Sequence, residues 1–175
     1  MNREVWLITG IPGAGKTTLA KALASSWERG AHVEGDKLQE WIMAGAVGPG
    51  EEPSAESNRQ IRLNIRNQCL LASSFTSAGL NVVLDYVIVS QEMLMEYRRQ
   101  LPGHDVLLVV LSPGIDTALQ RDARRPEKTV AGRWSHLEPQ IKRELAGVGL
   151  RVDNARLTLA ETVAVVRGRK AEARL

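Results

Sequence analysis

The chain has 175 residues, of which 43% are apolar and 25% charged, the composition of a single soluble globular domain. Its one cysteine and three scattered histidines exclude a disulfide framework and a zinc-ligand pattern, and they favour a reducing, cytoplasmic setting. The net charge of +3 is carried entirely by residues 151–175, so the sequence argues against a nucleic-acid partner, which would need a basic face on the folded body.

No apolar run in the sequence is long enough to cross a membrane. The longest, Val106–Leu111, has six residues, whereas a spanning helix needs about 20. The first residues lack the apolar stretch of a signal peptide, so we expect the mature chain to start at Met1 and to have no membrane partner. The basic end, Arg169–Arg174, is expected to be a frayed and solvated terminus.

The first part of the chain predicts two strands and two helices. Val5–Thr9 is continuously apolar, which is typical of a strand buried on both faces. Apolar residues at helical spacing predict a helix over residues 16–28. Ala31–Glu34 is a weaker strand, and Asp36–Ala44 is predicted to be a short helix with Trp41 on its inner face.

The middle of the chain combines a loop rich in helix breakers with a long helix. Gly and Pro residues predict an irregular flap over about residues 45–56. Apolar residues at three- or four-residue spacing predict a helix over about residues 57–77. Cys69 lies in that apolar stripe, so we interpret it as a core residue rather than a nucleophile.

The second half predicts three more strands, their helices and a basic lid. Strands are expected at residues 81–86, 106–111 and 150–152, and helices at 91–100 and 115–123. Ser135 with Glu138, and Thr158 with Glu161, match the capping box that starts a helix. Residues 121–134 hold five basic side chains and no apolar period, which predicts an exposed lid.

This alternation of strands and helices predicts an α/β fold. We expect one domain over residues 1–175, a three-layer α/β/α sandwich around a mainly parallel sheet of about five strands.

One motif carries chemistry. Gly10–Thr17 reads Gly-Ile-Pro-Gly-Ala-Gly-Lys-Thr, which matches the phosphate-binding P-loop and lies between a predicted strand and helix. Its glycines let amide N–H groups turn inward around a β-phosphate, and the helix N-terminus adds positive potential. Lys16 is expected to bridge the β- and γ-phosphates as a catalytic cation, and Thr17 to offer its hydroxyl to Mg²⁺. The predicted ATP-binding residues of this segment are Gly10, Pro12, Gly13, Ala14, Gly15, Lys16, Thr17 and Thr18.

The class of P-loop protein follows partly by exclusion. The chain lacks the Asn-Lys-x-Asp string of a small GTPase, and it is too short for a motor or helicase core with its coupling elements. Four segments in order resemble the small-molecule kinases of the P-loop superfamily, which include gluconate-kinase-like, chloramphenicol-phosphotransferase-like and zeta-toxin-like proteins. They are Gly10–Thr18, Val33–Asp36, Val82–Tyr86 and Arg121–Arg125. The resemblance implies a nucleoside-kinase-like fold with a small lid, and ATP and Mg²⁺ as cofactors.

Two carboxylates lie at or just beyond the carboxyl ends of predicted strands. Asp36 matches the position where chloramphenicol-phosphotransferase-like and zeta-toxin-like members have a carboxylate facing the acceptor hydroxyl, so the resemblance implies that it accepts or orients that proton. The alternative is a cap on the helix that begins at Lys37. Asp85 has a Walker-B-like position suited to Mg²⁺ or to the acceptor, and the alternative is a turn contact. Which of the two dominates catalysis stays open.

The resemblance also implies roles near the nucleotide. In related kinases lid arginines close over the phosphates, and Arg121, Arg125 and Arg133 are the catalytic candidates, against the alternative of a solvated charge run. Asp153 and Asn154, after the last strand, are expected near the adenine, against the alternative of a simple turn.

The acceptor is expected between the flap, the Asp36 helix and the long helix. Arg62, on a helix face that also carries arginines at positions 59 and 66, is a candidate for an anionic acceptor, against a solvated surface. Trp41 and Tyr86 are candidates for stacking on a planar or sugar acceptor, against core packing.

The sequence therefore predicts an ATP- and Mg²⁺-dependent kinase that phosphorylates a hydroxyl of a small molecule. One alternative changes the acceptor to a nucleotide, a nucleotide sugar or a polynucleotide end. Another is an ATP-binding P-loop switch that acts through a partner. The identity of the acceptor and the oligomeric state stay open.

Overall fold

The computed structural model of the protein describes residues 4–124 and 131–175. The strands are β1 (Glu4–Thr9), β2 (Gly30–Glu34), β3 (Asn81–Asp85), β4 (Asp105–Leu111) and β5 (Leu150–Val152). The helices are α1 (Lys16–Ser25), α2 (Gly35–Glu40), α3 (Ser54–Ser77), α4 (Gln91–Gln100), α5 (Ile115–Ala123), α6 (Ala131–Trp134), α7 (Leu137–Glu144), α8 (Leu159–Gly168) and α9 (Lys170–Ala173).

The described strands form a parallel sheet in the order β2-β3-β1-β4-β5. Helices α1 and α8 pack together, and α3 packs with α4. The chain runs from β1 outward to β2 and then turns back through β3 to β4, so right-handed crossovers put α1 on one face of the sheet and α3 and α4 on the other. The predicted α/β sandwich around a five-stranded parallel sheet is confirmed.

The core lies along the two central strands. Val5–Ile8 of β1 and Leu107–Val110 of β4 are buried throughout. Both strands are apolar at successive positions because helices cover both faces of the sheet. Each such side chain contributes about 1.5–3 kcal/mol by leaving water, so β1 is a rigid base for the loop that follows it.

Two predicted helix ends differ from the structure near the site. Helix α1 ends at Ser25, three residues early, and Trp27 instead packs against Trp6 with ring centroids 6.4 Å apart. Helix α2 ends at Glu40, and Trp41 is 70% exposed, so its predicted place on an inner face is wrong. Beyond both ends the chain is hydrogen-bonded to residues distant in sequence, and such contacts outweigh the helix propensity of the segments.

One of the two predicted capping boxes is confirmed. Thr158 Oγ1 accepts from the amide of Glu161 at 3.2 Å, and the Glu161 carboxylate accepts from the amide of Thr158 at 2.8 Å. The box at Ser135 is wrong: its hydroxyl donates to the carbonyl of Gly132 at 3.3 Å, and α7 begins at Leu137. Ser135 directly follows α6, so the nearest free carbonyl belongs to the preceding turn.

The frayed C-terminus predicted from charge is also wrong. Ala173 is fully buried, and the amide of Leu175 donates to the carbonyl of Val106 at 3.0 Å. The Arg174 guanidinium donates to both carboxylate oxygens of Asp105, at 2.9 and 2.8 Å. The short β5 pairs only with the end of β4, so the chain terminus occupies the edge that β5 leaves open.

Within the described residues, no helix combines the length and the apolar character needed to cross a membrane.

Candidate active site

The P-loop connects the carboxyl end of β1 to the first residue of α1. Gly13 has φ +84°, and a Cβ built there would lie 2.2 Å from the carbonyl oxygen of Ala118 on α5. A Cβ at Gly10, where φ is +146°, would lie 2.6 Å from the carbonyl oxygen of Leu111. The loop is therefore pressed against β4 and α5, and both positions need glycine.

The lysine of the motif is folded over the loop. Lys16 is 7% exposed, and its Nζ donates to the carbonyl oxygen of Ile11 at 3.3 Å. An ammonium group with so little access to water is costly unless polar groups surround it. The structure thus holds one cation inside the loop, where a phosphate would be favourable.

Thr17 and Asp85, the two predicted metal-binding residues, are in contact. The Thr17 hydroxyl donates to Oδ1 of Asp85 at 3.1 Å, and Asp85 is 1% exposed at the end of β3. The other carboxylate oxygen, Oδ2, pairs with Nε2 of His32 on β2. Sequence reasoning did not select His32, because the pairing of β2 with β3 that brings it to Asp85 is seen only in the structure.

Asp36 lies in the first turn of α2, directly after the carboxyl end of β2. Asp36 is exposed at the surface, although neighbouring protein atoms remove part of the hydration of its carboxyl group. Burial raises the pKa of the Asp36 carboxyl above its ordinary value, the Lys16 cation lowers it in part, and the Asp85 charge adds to the rise. The structure therefore brings Asp36 within electrostatic reach of the P-loop lysine.

A chain of buried amides supports the Asp36 turn. The Asn64 side chain donates to the carbonyl of Gly35, Gln68 donates to Asn64, and the Tyr97 hydroxyl donates to Gln68, each at 2.8 Å. A Cβ at Gly35 would lie 2.6 Å from the ring of Tyr86, so backbone and ring are in close contact. Sequence reasoning missed this network.

The signal for that network was present on α3. Gln60, Asn64 and Gln68 repeat at four-residue spacing and are all buried. Buried amides of this kind are almost always hydrogen-bonded, so a polar row beside an apolar stripe indicates a structural network.

The loop predicted as a flap is tied to α3. Gln60 donates to the carbonyl of Gly45 at 2.8 Å and accepts from the amide of Val47 at 2.9 Å. The Ser57 hydroxyl donates to the carbonyl of Gly48 at 2.7 Å. The loop conformation is therefore held by side chains of the helix that follows it.

The part of the lid that the structure describes meets this loop. An Arg133 guanidinium nitrogen lies 3.8 Å from a carboxylate oxygen of Glu51, and a Cβ at Gly50 would lie 3.2 Å from the Trp134 ring. The Arg133 guanidinium carbon is 5.0 Å from the centre of the Trp134 ring. Arg125 lies outside the described residues. The closing roles of both arginines stay predictions.

A cleft of about 320 Å³ lies beside the P-loop on the side of α8. Its lining is Gly13, Gly15, Thr18, Leu19, Arg121, Asn154, Leu157, Leu159 and Thr162. Arg121 donates to the carbonyl of Asn154 at 2.8 Å, and the Asn154 amide donates to the carbonyl of Ala14 at 3.1 Å. Asn154 thus lines the cleft, whereas exposed Asp153 accepts from the amide of Ala155 at 2.9 Å, as in a simple turn.

A second cleft, of about 570 Å³, lies between α3 and α4. Its lining is Asn58, Ile61, Arg62, Ile65, Val89, Ser90, Glu92, Met93, Met95, Glu96 and Arg99. The predicted acceptor residue Arg62 belongs to this set. Tyr86 is buried against Gly35, and Trp41 is largely exposed, so the two aromatic candidates lie in different surroundings.

The oxygen atoms beside the P-loop suit Mg²⁺, which prefers a hydroxyl or one or two carboxylates together with phosphate oxygens. Thr17 and Asp85 supply such a pair. Among residues 4–124 and 131–175, no group of three or more His, Cys, Asp and Glu side chains forms a complete metal site. The residues present therefore fit a magnesium ion that is shared with a nucleotide, rather than a metal held by protein alone.

Comparison with protein families agrees with this geometry. A family described as an AAA domain matches residues 5–146, which is most of the chain and includes the whole P-loop. The chain belongs to this family. No protein with a curated description matches the chain by sequence.

The AAA-domain chain is also similar to solved kinases. The Mycobacterium tuberculosis APS kinase, in complex with AMPPNP and APS, has a TM-score of 0.72 at 19% identity over 95% of this chain and 96% of its own. A sugar kinase from Janibacter has a TM-score of 0.68 at 17% identity over 99% and 96%. The Deinococcus radiodurans tunicamycin resistance protein has a TM-score of 0.65 at 18% identity over 99% and 98%. At these identities the likeness shows a P-loop kinase-like fold.

Proposed function

We propose that this protein is a kinase that transfers the γ-phosphoryl group of ATP, in the presence of Mg²⁺, to a hydroxyl of a small molecule. The observation that carries the proposal is that three features lie together at the carboxyl ends of β1, β2 and β3. These are the P-loop with Lys16, the Thr17–Asp85 pair, and the Asp36 carboxyl, whose pKa responds to Lys16. A nucleotide switch needs the first two, but it has no use for an acceptor-side carboxylate.

The nucleotide side is supported by the P-loop and the smaller cleft. The loop amides and Lys16 would hold the phosphates, and the cleft lined by Arg121 and Asn154 would hold the base and ribose. Thr17 and Asp85 would hold Mg²⁺, which supplies shielding of the charge on the β- and γ-phosphates.

Asp36 is proposed to act on the acceptor. In the transfer step the acceptor hydroxyl loses its proton to the Asp36 carboxylate, and its oxygen forms a bond to the γ-phosphorus. The bond from that phosphorus to the β,γ-bridging oxygen breaks, and ADP leaves with the electron pair. A raised carboxyl pKa makes Asp36 a better proton acceptor than an ordinary aspartate, because basicity rises with pKa.

The larger cleft between α3 and α4 is the proposed place for the body of the acceptor. Its lining includes α3 but no residue of the flap or of α2, so this place differs from the one expected from the sequence. The cleft opens beside Val89 and Ser90, which follow the carboxyl end of β3, and it borders the helix whose Asn64 supports the Asp36 turn. Apolar side chains, with Arg62 and Asn58, suit a molecule that carries both a carbon skeleton and polar groups.

The test is release of ADP from Mg·ATP across a panel of sugars, sugar acids, nucleosides, nucleotides, nucleotide sugars, antibiotics and 5′-hydroxyl oligonucleotides. We expect one small-molecule class to stimulate release, and Asp36→Asn to abolish that stimulation while ATP affinity is largely kept. Asp116→Asn, an exposed aspartate on α5, is the matched control.

The other outcomes separate the alternatives. Stimulation by a nucleotide, a nucleotide sugar or an oligonucleotide end would change the acceptor class but keep the chemistry. Tight ATP binding with no stimulation by any acceptor, together with nucleotide-dependent capture of a protein partner, would contradict the kinase and support the switch.

A further inference from the structure

A histidine lies beside the proposed magnesium site. The His32 side chain is 13% exposed, and its Nε2 contacts Oδ2 of Asp85. The other carboxylate oxygen accepts from the Thr17 hydroxyl at 3.1 Å. Both oxygens of a nearly inaccessible carboxylate are therefore bound by side chains from two different elements, β2 and α1.

The strand register explains why these groups meet. His32 lies opposite Val83, and Glu34 lies opposite Asp85, in the parallel pairing of β2 with β3. Side chains of a strand alternate between the faces of a sheet, so Val83 and Asp85 share a face. His32 is the diagonal neighbour of Asp85 on that face, which is the one that α1 covers with Thr17.

The contact with His32 stabilises the buried carboxylate of Asp85. A carboxylate without hydrogen-bond donors is costly to remove from water, and a single threonine hydroxyl satisfies only one of its two oxygens. An imidazole N–H on the second oxygen stops rotation of the carboxylate about its last side-chain bond. Rigid partners behind a metal-binding carboxylate keep it in one orientation.

We propose that His32 is a positioning residue for magnesium: its Nε2–H holds Oδ2 of Asp85, so that Asp85 stays joined to Thr17 in the orientation that serves Mg·ATP. This inference rests on the proposed function, because it assumes that Thr17 and Asp85 hold the ion. His32 itself contacts neither nucleotide nor acceptor in this role.

Two amide variants separate positioning from space filling. The amide nitrogen of Gln lies at nearly the same reach as Nε2 of His, whereas that of Asn is shorter by one carbon. His32→Gln therefore keeps a donor within reach of Asp85, and His32→Asn removes it while the position stays polar. His104→Asn is the matched control, since His104 is also half-buried and bonds a side chain, Thr76, at 3.0 Å at the other end of the sheet.

The experiment is a calorimetric Mg²⁺ titration of AMPPNP binding, without acceptor or turnover. We expect His32→Asn to raise the Mg²⁺ concentration at half-binding by about tenfold, with unchanged affinity for AMPPNP in EDTA. His32→Gln and His104→Asn should stay within about twofold of the wild type. Nitrogen-15 NMR of the wild type should show a proton bound to Nε2 of His32, and that signal should change in Asp85→Ala.

Each other result has a definite meaning. An unchanged midpoint in a folded His32→Asn variant would overturn the inference, and a lower midpoint would show that His32 competes with the ion for Asp85. If His32→Gln and His32→Asn shift the Mg²⁺ midpoint equally, the shape of the His32 ring matters and its N–H donor does not, which would contradict the inference. If wild-type AMPPNP binding does not respond to Mg²⁺ at all, the proposed function fails and the role of His32 fails with it.

Discussion

Asn64, in the middle of α3, donates its side-chain amide to the backbone carbonyl of Gly35 at 2.8 Å. The two residues are 29 positions apart in sequence. This bond ties the long helix to the turn that carries Asp36, so a residue outside every recognisable motif supports that turn.

Asn64→Leu should therefore impair the acceptor side of the site. The change leaves the Gly35 carbonyl and the Gln68 amide without this partner, and buried groups that lose a partner cost about 1–3 kcal/mol. We expect a loss of about 2 kcal/mol in the free energy of unfolding, a fall in acceptor-stimulated ADP release and unchanged ATP affinity. Asn67→Leu, on a less buried face of α3, is the control. Equal losses in both variants would contradict the positioning role.

Turnover should depend on the protonation of Asp36. Its folded-state pKa lies above the ordinary 3.8, so the carboxylate needed for proton transfer is lost, as pH falls, at a higher pH than for an unperturbed aspartate. A pH profile of acceptor-dependent ADP release should show this acid limb. A profile that stays flat down to the pH where the protein unfolds would argue against Asp36 as the base.

The same pKa shift predicts the effect of Asp36 on stability. The folded state binds the proton more tightly than the unfolded state, so Asp36 lowers the stability as pH rises from 3.8 through the raised value. Asp36→Asn removes that cost, and the variant should be at least as stable as the wild type at neutral pH. Chemical denaturation at pH 7 measures this, and a large loss of stability would indicate a structural role instead.

Gly13→Ala should disable the P-loop. The new Cβ would meet the Ala118 carbonyl at 2.2 Å, a backbone atom that cannot move aside easily. We expect nucleotide affinity to fall by about tenfold or more, equivalent to at least about 1.4 kcal/mol. Gly147→Ala is the matched control, since Gly147 also has positive φ but no neighbour within 4 Å of the added atom. It should cost about 1–2 kcal/mol in stability and leave nucleotide binding intact.

Arg121→Ala separates two roles of one arginine. In the structure Arg121 donates to the backbone carbonyl of Asn154, which supports a role in shaping the nucleotide cleft. We expect ATP affinity to fall by about tenfold, because bonds to charged groups contribute about 1.5–3 kcal/mol. Arg124→Ala, at the exposed residue that follows α5, should change little. Normal affinity with collapsed turnover would instead support the phosphate-closing role predicted from the sequence.

Gln60→Leu should loosen the loop between α2 and α3. The change removes the side-chain bonds to the Gly45 carbonyl and the Val47 amide, so we expect faster hydrogen exchange at residues 45–48. Ser57→Ala, which removes a single bond to Gly48, should have a smaller effect. Unchanged exchange in the Gln60 variant would show that other contacts hold the loop.

Local patterns predicted most of the elements and the P-loop. The P-loop, its flanking strand and helix, and the Thr158 capping box are encoded within a few consecutive residues. The apolar strands also predicted the parallel sheet, because continuous burial on both faces needs helices in both outer layers.

Where a local signal competes with a distant contact, the local signal failed. Ser135 has the spacing of a cap, but a carbonyl one turn back takes its hydroxyl. The charge of the C-terminus predicts a solvated chain end. In the structure β5 does not pair with the first residues of β4, and the C-terminus pairs with them instead.

Sequence patterns alone were enough to predict the α/β fold, the P-loop and the two aspartates near strand ends, because each rests on neighbouring residues or on one period of burial. The partners of three side chains became clear only from the folded chain: His32 with Asp85 across two strands, Asn64 with Gly35, and Gln60 with the loop before it. Strand register sets the first pair and the packing of α3 sets the other two, and partners separated by 13 to 53 positions leave no spacing in the sequence that reveals them.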